Sequence, residues 1–176
     1  MRWTIAVGSI VLVSAIAVAG PGDDPAPPRS SGWAVKPGSA IGPVRLRMTK
    51  PEVVAVLGEP DRIPEESEDS WWCYDRDGFT VIFSVDTPTP IALLLEGGSV
   101  RHPEARENFR AMAPDGIGIG SSRDEVTAAF GHPDPHQFED RDTHLVFGTA
   151  GISFTLEDDR VVQIRVERPL HVAPSR

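Results

Sequence analysis

Imidazole and carboxylate side chains are concentrated between His132 and His144, and these are side chains that bind divalent metal ions such as Zn²⁺. Their spacing matches no defined metal motif, and a plain acidic loop (residues 65–69) occupies the corresponding place earlier in the chain. We therefore interpret the stretch as a solvated loop and keep a metal site as the alternative. The candidate ligands under that alternative are His132, Asp134, His136 and His144, with Asp140 and Asp142 in the same stretch.

Nucleophilic and phosphate chemistry find little support in the sequence. There is no Gly-x-Ser-x-Gly elbow. The glycines of Gly116-x-Gly118-x-Gly120 precede a predicted helix, but their spacing fits neither glycine-rich phosphate pattern and the required Lys is missing. Cys73 is the single cysteine and lies among aromatic residues, so we predict a buried thiol with a raised pKa and low reactivity. We expect no catalytic residues, no cofactor and no enzymatic activity.

Composition narrows the class of partner. The formal net charge is −9, which disfavours nucleic acid and anionic membrane surfaces because both need a basic footprint. Hydrophobic residues make up 40% of the 176 residues, enough for a packed core. A lone cysteine also means that no disulfide forms within the chain.

The first residues have the pattern of an export signal. Arg2 precedes an uncharged apolar run, and Ala17-Val18-Ala19 provides the small residues that a signal peptidase recognises. We predict a signal peptide over residues 1–19, with an uncleaved anchor over residues 4–20 as the alternative. No cysteine lies near the cleavage point, which excludes a lipid-modified N-terminus. Residues 20–38 are rich in proline and glycine, and we expect a disordered linker there.

The rest of the chain contains an internal repeat with a shift of 73 residues. Between Glu52 and Asp86 this register gives ten identities across 35 positions without a gap. Both copies begin with the capping-box pattern Ser/Thr-x-x-Glu, which predicts short helices over about residues 50–57 and 123–130. Gly58 and Gly131 then favour helix termination.

Alternating apolar residues after each helix predict antiparallel strands covered on one side. The expected fold class is therefore α+β, with two tandem copies of a short helix packed on a three- to four-stranded antiparallel sheet. The predicted boundaries are residues 39–96 for the first repeat, 97–113 for a linking helical segment, 114–169 for the second repeat and 170–176 for a flexible tail.

Each copy also resembles a known family. The first reads Ile41-Gly42-x-Val44-x-Leu46-x-Met48-Thr49-x-x-Glu52-Val53, followed by Leu57-Gly58-x-Pro60, and the second repeats this from Gly118 to Pro133. This pattern is similar to that of the β-lactamase-inhibitory-protein-like fold and of the small lipoprotein of outer-membrane barrel assembly. The resemblance implies an extracytoplasmic, non-catalytic interaction module. Arg47 departs from the pattern, and no residue matches the inhibitors' enzyme-contacting loops.

Strand alternation places Trp71 on the outer sheet face, where it is our candidate for contact with a partner. The interpretation that we favour is that the other repeat or the linking helix covers it. The outward side of the second copy is polar and includes His144, Ser153, Thr155, Gln163 and Arg165. Our leading hypothesis is an exported protein–protein interaction or scaffold module of the cell envelope or extracellular space. The alternatives are a metal- or small-ligand-binding protein using the loop 132–144, and a membrane-anchored structural spacer.

Overall fold

The computed structural model describes residues 32–64, 70–84, 86–96, 113–135 and 144–170. The predicted signal peptide, most of the linker, the linking segment up to residue 112 and most of the tail lie outside these ranges. The described residues form two antiparallel sheets and two helices. The smaller sheet consists of β1 (Val35–Lys36), β2 (Ala40–Ile41) and β3 (Val44–Arg45). The helices are α1 (Lys50–Leu57) and α2 (Arg123–Phe130).

The larger sheet has six described strands in the order β4-β5-β6-β9-β8-β7. Its strands are β4 (Ser70–Tyr74), β5 (Phe79–Phe83), β6 (Pro90–Glu96), β7 (His144–Phe147), β8 (Ile152–Glu157) and β9 (Arg160–Glu167). No helix in the described part of the chain is long and apolar enough to cross a bilayer.

The expected fold class, two tandem units each with its own small sheet, is wrong. The structure is mostly β, and the strands of the two halves belong to one continuous sheet because β6 pairs with β9. Leu93 faces Val166 and Leu95 faces Ile164 across this pairing. Two separate sheets would leave four unpaired edges, whereas joining them leaves two. Units of this size would also bury too little apolar surface by themselves.

One hydrophobic core serves both halves. It lies between the larger sheet and the two helices, and Val53 of α1 and Val126 of α2 are both fully buried in it. Aromatic rings fill the core on each side. The ring centroids of Phe79 and Trp33 lie 5.3 Å apart, and those of Phe154 and Phe130 also lie 5.3 Å apart. The core is therefore continuous across the β6–β9 pairing.

The smaller sheet closes one end of this core, and it begins earlier than residue 39, where we placed the start of the folded part. Val35 of β1 is only 3% exposed. The Gly38 amide donates to the Gly151 carbonyl at 3.0 Å, which joins the small sheet to the β7–β8 turn. Gly38 has φ +65°, and a Cβ there would lie 2.6 Å from the Pro169 ring, so this contact requires glycine.

The two helices begin and end as predicted. In α1 the Thr49 amide and hydroxyl both donate to the Glu52 carboxylate, at 2.7 and 2.8 Å. In α2 the Ser122 amide and hydroxyl donate to Glu125 at 2.7 and 3.0 Å. These bonds stabilise the charged carboxylates. They therefore lower the pKa of Glu52 and of Glu125 below the usual 4.5, and the bond from the backbone amide has a larger effect than the bond from the hydroxyl.

These lowered pKa values predict a pH-dependent contribution to stability. The two carboxylates stabilise the folded state above pH 4.5, and this contribution is lost as the pH falls through their folded-state pKa values. The double variant Glu52→Gln, Glu125→Gln should therefore be less stable than wild type in urea at pH 7, and the deficit should shrink at lower pH. Glu59→Gln, which neutralises an exposed carboxylate beyond α1, is the control. A deficit that is equal at pH 7 and in acid would contradict this assignment.

Candidate functional site

α1 and α2 lie against one face of the larger sheet, and we call the opposite face the outer face. Side chains alternate along each strand, so the residues opposite the core are fixed by the strand register. The outer face contains Trp71, Cys73, Thr80, Ile82, Ala92, Leu94, Glu96, Val146, His144, Ser153, Thr155, Gln163, Arg165 and Glu167. Its composition changes at the β6–β9 pairing, with an apolar half on β4 to β6 and a polar half beyond.

The apolar half forms a second hydrophobic cluster. Ile82, Ala92 and Leu94 are between 0% and 3% exposed, and Trp71 and Ile91 pack against them partly buried. The predicted position of Trp71 on the outer face is therefore confirmed. Its role in partner contact stays a prediction.

Cys73 lies in the same half and is buried, as predicted. Desolvation raises the pKa of its thiol, and a hydrogen bond with Thr80 opposes this only in part. The neighbouring Arg62 guanidinium donates to both carboxylate oxygens of Asp75, at 3.3 and 3.2 Å, and this raises the pKa of Arg62. A thiol kept neutral by burial is a poor nucleophile, so Cys73 acts here as an apolar side chain.

Four side chains of the polar half and its border are joined by hydrogen bonds across four strands, and we call them the polar row. His144 Nδ1 lies 3.3 Å from Thr155 Oγ1. The Thr155 hydroxyl donates to Gln163 Oε1 at 3.2 Å, and Gln163 Nε2 donates to Glu96 Oε1 at 3.2 Å. The row thus starts on β7, crosses β8 and β9, and ends on β6.

The chemistry of Glu96 sets the direction of every bond in the row. A carboxylate only accepts, so the Gln163 amide must turn its NH₂ group toward Glu96 and its oxygen toward Thr155. The single Thr155 hydroxyl proton is then used on Gln163, which leaves only lone pairs facing His144. His144 must therefore carry its proton on Nδ1, and Nε2 of the neutral ring is left as an acceptor on an exposed side chain.

An ion pair lies beside the polar row. Arg165 Nε donates to Glu167 Oε2 at 3.2 Å, and the two side chains are 39% and 37% exposed. Such a pair adds little stability because water screens it. The polar half consequently combines oriented hydrogen-bonding groups with charges of both signs.

The predicted metal ligands have separate roles where the structure describes them. The Asp134 carboxylate accepts from the Gly148 amide at 2.7 Å, and the Asp134 amide donates to the Val146 carbonyl at 2.8 Å, so Asp134 braces the edge of β7. His132 is exposed and His144 belongs to the polar row, whereas His136 lies outside the described residues. Within the described ranges, no three His, Cys, Asp or Glu side chains are grouped as a metal site requires.

Sequence reasoning did not find the polar row. Alternation correctly assigned His144, Thr155 and Gln163 to one outward surface, but the register that brings them into contact is a long-range property. No sequence pattern indicated a role for Glu96, which is simply the last residue of the predicted first repeat.

The described residues form an antiparallel sheet protein with two short helices on one face of the larger sheet and the polar row on the other. No protein-family model matches the chain, and no curated protein matches it either. Among solved structures, the chain is similar to a DUF4309 family protein (YjgB) from Bacillus subtilis subsp. subtilis str. 168, with 16% identity and a TM-score of 0.45. The match covers 69% of this chain and 79% of that one, and it carries no argument about function.

The direction of the polar row predicts the tautomer of His144. Nitrogen-15 NMR of the neutral ring should show the proton on Nδ1. In Gln163→Leu the Thr155 hydroxyl is released and can donate to Nδ1, so the population should shift toward the Nε2–H form. Ser153→Ala, on the same face but outside the row, should leave the tautomer unchanged. A wild-type ring protonated on Nε2 would contradict the bond directions given above.

Proposed function

We propose that this protein is an exported, non-catalytic protein–protein interaction or scaffold module of the bacterial cell envelope or extracellular space, and that it binds its partner through the polar half of the outer face. The polar row is the observation that carries the proposal. Four side chains from four strands are joined by hydrogen bonds on the face opposite α1 and α2. Such a row has no evident role in the core, which lies on the opposite side of the sheet.

Preorganisation is the physical reason why this arrangement suits binding. Side chains that are already held in one geometry lose less conformational entropy when a partner docks. His144 Nε2 is left as an acceptor at one end of the row, and the exposed Glu96 carboxylate lies at the other. A partner that donates hydrogen bonds to both ends would be fixed in register along the strands.

The border between the two halves resembles the anatomy of a protein interface. Aromatic residues are enriched at interface cores, and polar groups surround them. Trp71 lies partly buried in the apolar half, and Arg165 and Glu167 face Leu94 and Ala92 of that half across the β6–β9 pairing. A partner that docks on the polar half and extends to the exposed part of Trp71 would contact an aromatic side chain and oriented polar groups together.

The extracytoplasmic part of the proposal rests on the sequence of residues 1–19, and the expected partner is an extracytoplasmic protein of unknown identity. The resemblance to the inhibitory-protein-like family, also read from the sequence, supports the same class. The two alternatives, a ligand site in the loop 132–144 and a spacer anchored by residues 4–20, depend largely on segments outside the described residues. No observation in the described part favours either of them.

Photo-crosslinking in the exporting cell tests this proposal. A photoreactive residue at Ser153, on the polar half, should give a discrete adduct with one partner. The same residue at Ala128, which is exposed on α2, should give several-fold less of that adduct. Gln163→Leu should reduce the Ser153 adduct while its thermal unfolding stays close to wild type. Equal adducts from both positions, or none from Ser153, would remove the outer face as the binding surface.

A further inference from the structure

A cleft on the helix side of the larger sheet is lined by charged and hydroxyl side chains that do not belong to the outer face. It lies where β4 begins, β5 ends and α1 starts, and its volume is about 560 Å³. Its lining includes Lys50, Ser70, Ser84, Asp86 and Thr87. This volume lies within the range of small-molecule sites, and the charges of the lining residues determine which ligands fit.

Lys50 presents the positive charge of the cleft. Its ammonium lies 5.6 Å from the centre of the Trp72 ring and 5.2 Å from that of Phe83, in cation–π contact with both. Lys50 is also the first residue of α1, where the helix dipole disfavours a cation. No carboxylate in the described part of the chain forms an ion pair with it.

Asp86 presents the negative charge of the cleft. Its side chain is exposed, and its backbone amide donates to Ser84 Oγ at 3.4 Å. Its carboxylate makes no hydrogen bond or ion pair with any residue in the described ranges. The cleft therefore holds one cation and one anion that do not neutralise each other.

The second half of the chain provides an internal comparison. The residues 73 positions after Lys50 and Asp86 are Arg123 and Asp159. There the guanidinium Nε lies 3.1 Å from the carboxylate Oδ1, and the two charges form an ion pair. The two equivalent positions thus form an ion pair in the second half, whereas in the first half they line a cleft and do not pair.

We infer that this cleft binds a small zwitterion that carries one carboxylate and one ammonium group. The ligand's carboxylate would take the place opposite Lys50 and its ammonium the place opposite Asp86, so that the ligand completes the neutralisation that Arg123 and Asp159 achieve directly. The Ser70 hydroxyl provides a further polar contact. The Thr87 hydroxyl donates to the Thr89 carbonyl at 3.0 Å and can still accept from the ligand's ammonium. This site is independent of the outer face and of the partner proposed for it.

The chain has two lysines, Lys36 and Lys50, which makes a direct experiment possible. The full chain is labelled with carbon-13 lysine and titrated with L-alanine, with acetate and with ethylammonium, while the ε-methylene signals are followed. Alanine should shift the Lys50 signal in a saturable way and leave Lys36, which lies on β1, unchanged. Its apparent Kd should be about tenfold or more below that of acetate or ethylammonium, because only the zwitterion uses both charges.

A pair of matched variants separates the site from general charge effects. Asp86→Asn should weaken alanine binding by about tenfold, to the level of acetate. Asp158→Asn makes the same charge change on an exposed turn of the second half and should leave alanine binding unchanged. Three results would overturn the inference: no saturable Lys50 shift with alanine, equal affinity for alanine and acetate, or an equal shift of Lys36.

Discussion

Five residue pairs join β6 to β9, and this pairing turns two short sets of strands into one sheet. It places Leu95 beside Ile164 on the core side and Glu96 beside Gln163 on the outer side. The core is continuous because of the first contact. The polar row reaches Glu96 because of the second, so the orientation of His144 depends on the same pairing as the stability of the fold.

The two faces of the sheet consequently differ in role. On the core side the pairing aligns apolar side chains from both halves under α1 and α2. On the outer side it aligns an apolar half with a polar half, and the boundary runs along the pairing itself. The polar row is therefore the more exposed part of the outer face, while the Lys50 cleft lies separately beside the start of α1.

Local signals predicted the helices well. The Ser/Thr-x-x-Glu pattern and the glycines after it act within a few residues, and the structure places α1 and α2 over the predicted ranges. The smaller sheet could not be predicted in the same way, because strands of two residues such as β1 have no measurable periodicity. The single sheet was missed because the pairing of Leu93 with Val166 connects residues far apart in sequence, and nothing local specifies it.

The candidate site, like the fold, was predictable only where local patterns determine it. Outward alternation identified the residue types on the polar half, whereas their hydrogen bonds required the register of four strands. Asp134 is a different case: a metal ligand was only the alternative interpretation there, and in the structure its carboxylate accepts the Gly148 amide. The 73-residue correspondence also relates Lys50 and Asp86 to Arg123 and Asp159, which form an ion pair.

Hydrogen exchange of a Leu145→Ala variant tests most directly whether the two halves form one cooperative structure. Leu145 is 2% exposed on β7, at the sheet edge farthest from β4. Its truncation should cost about 2–5 kcal/mol. If the β6–β9 pairing unites the sheet, the amides of β4 and β5 should lose the same free energy of protection as those of β8 and β9. Unchanged protection in β4 and β5 would show that the halves unfold independently and would contradict the account.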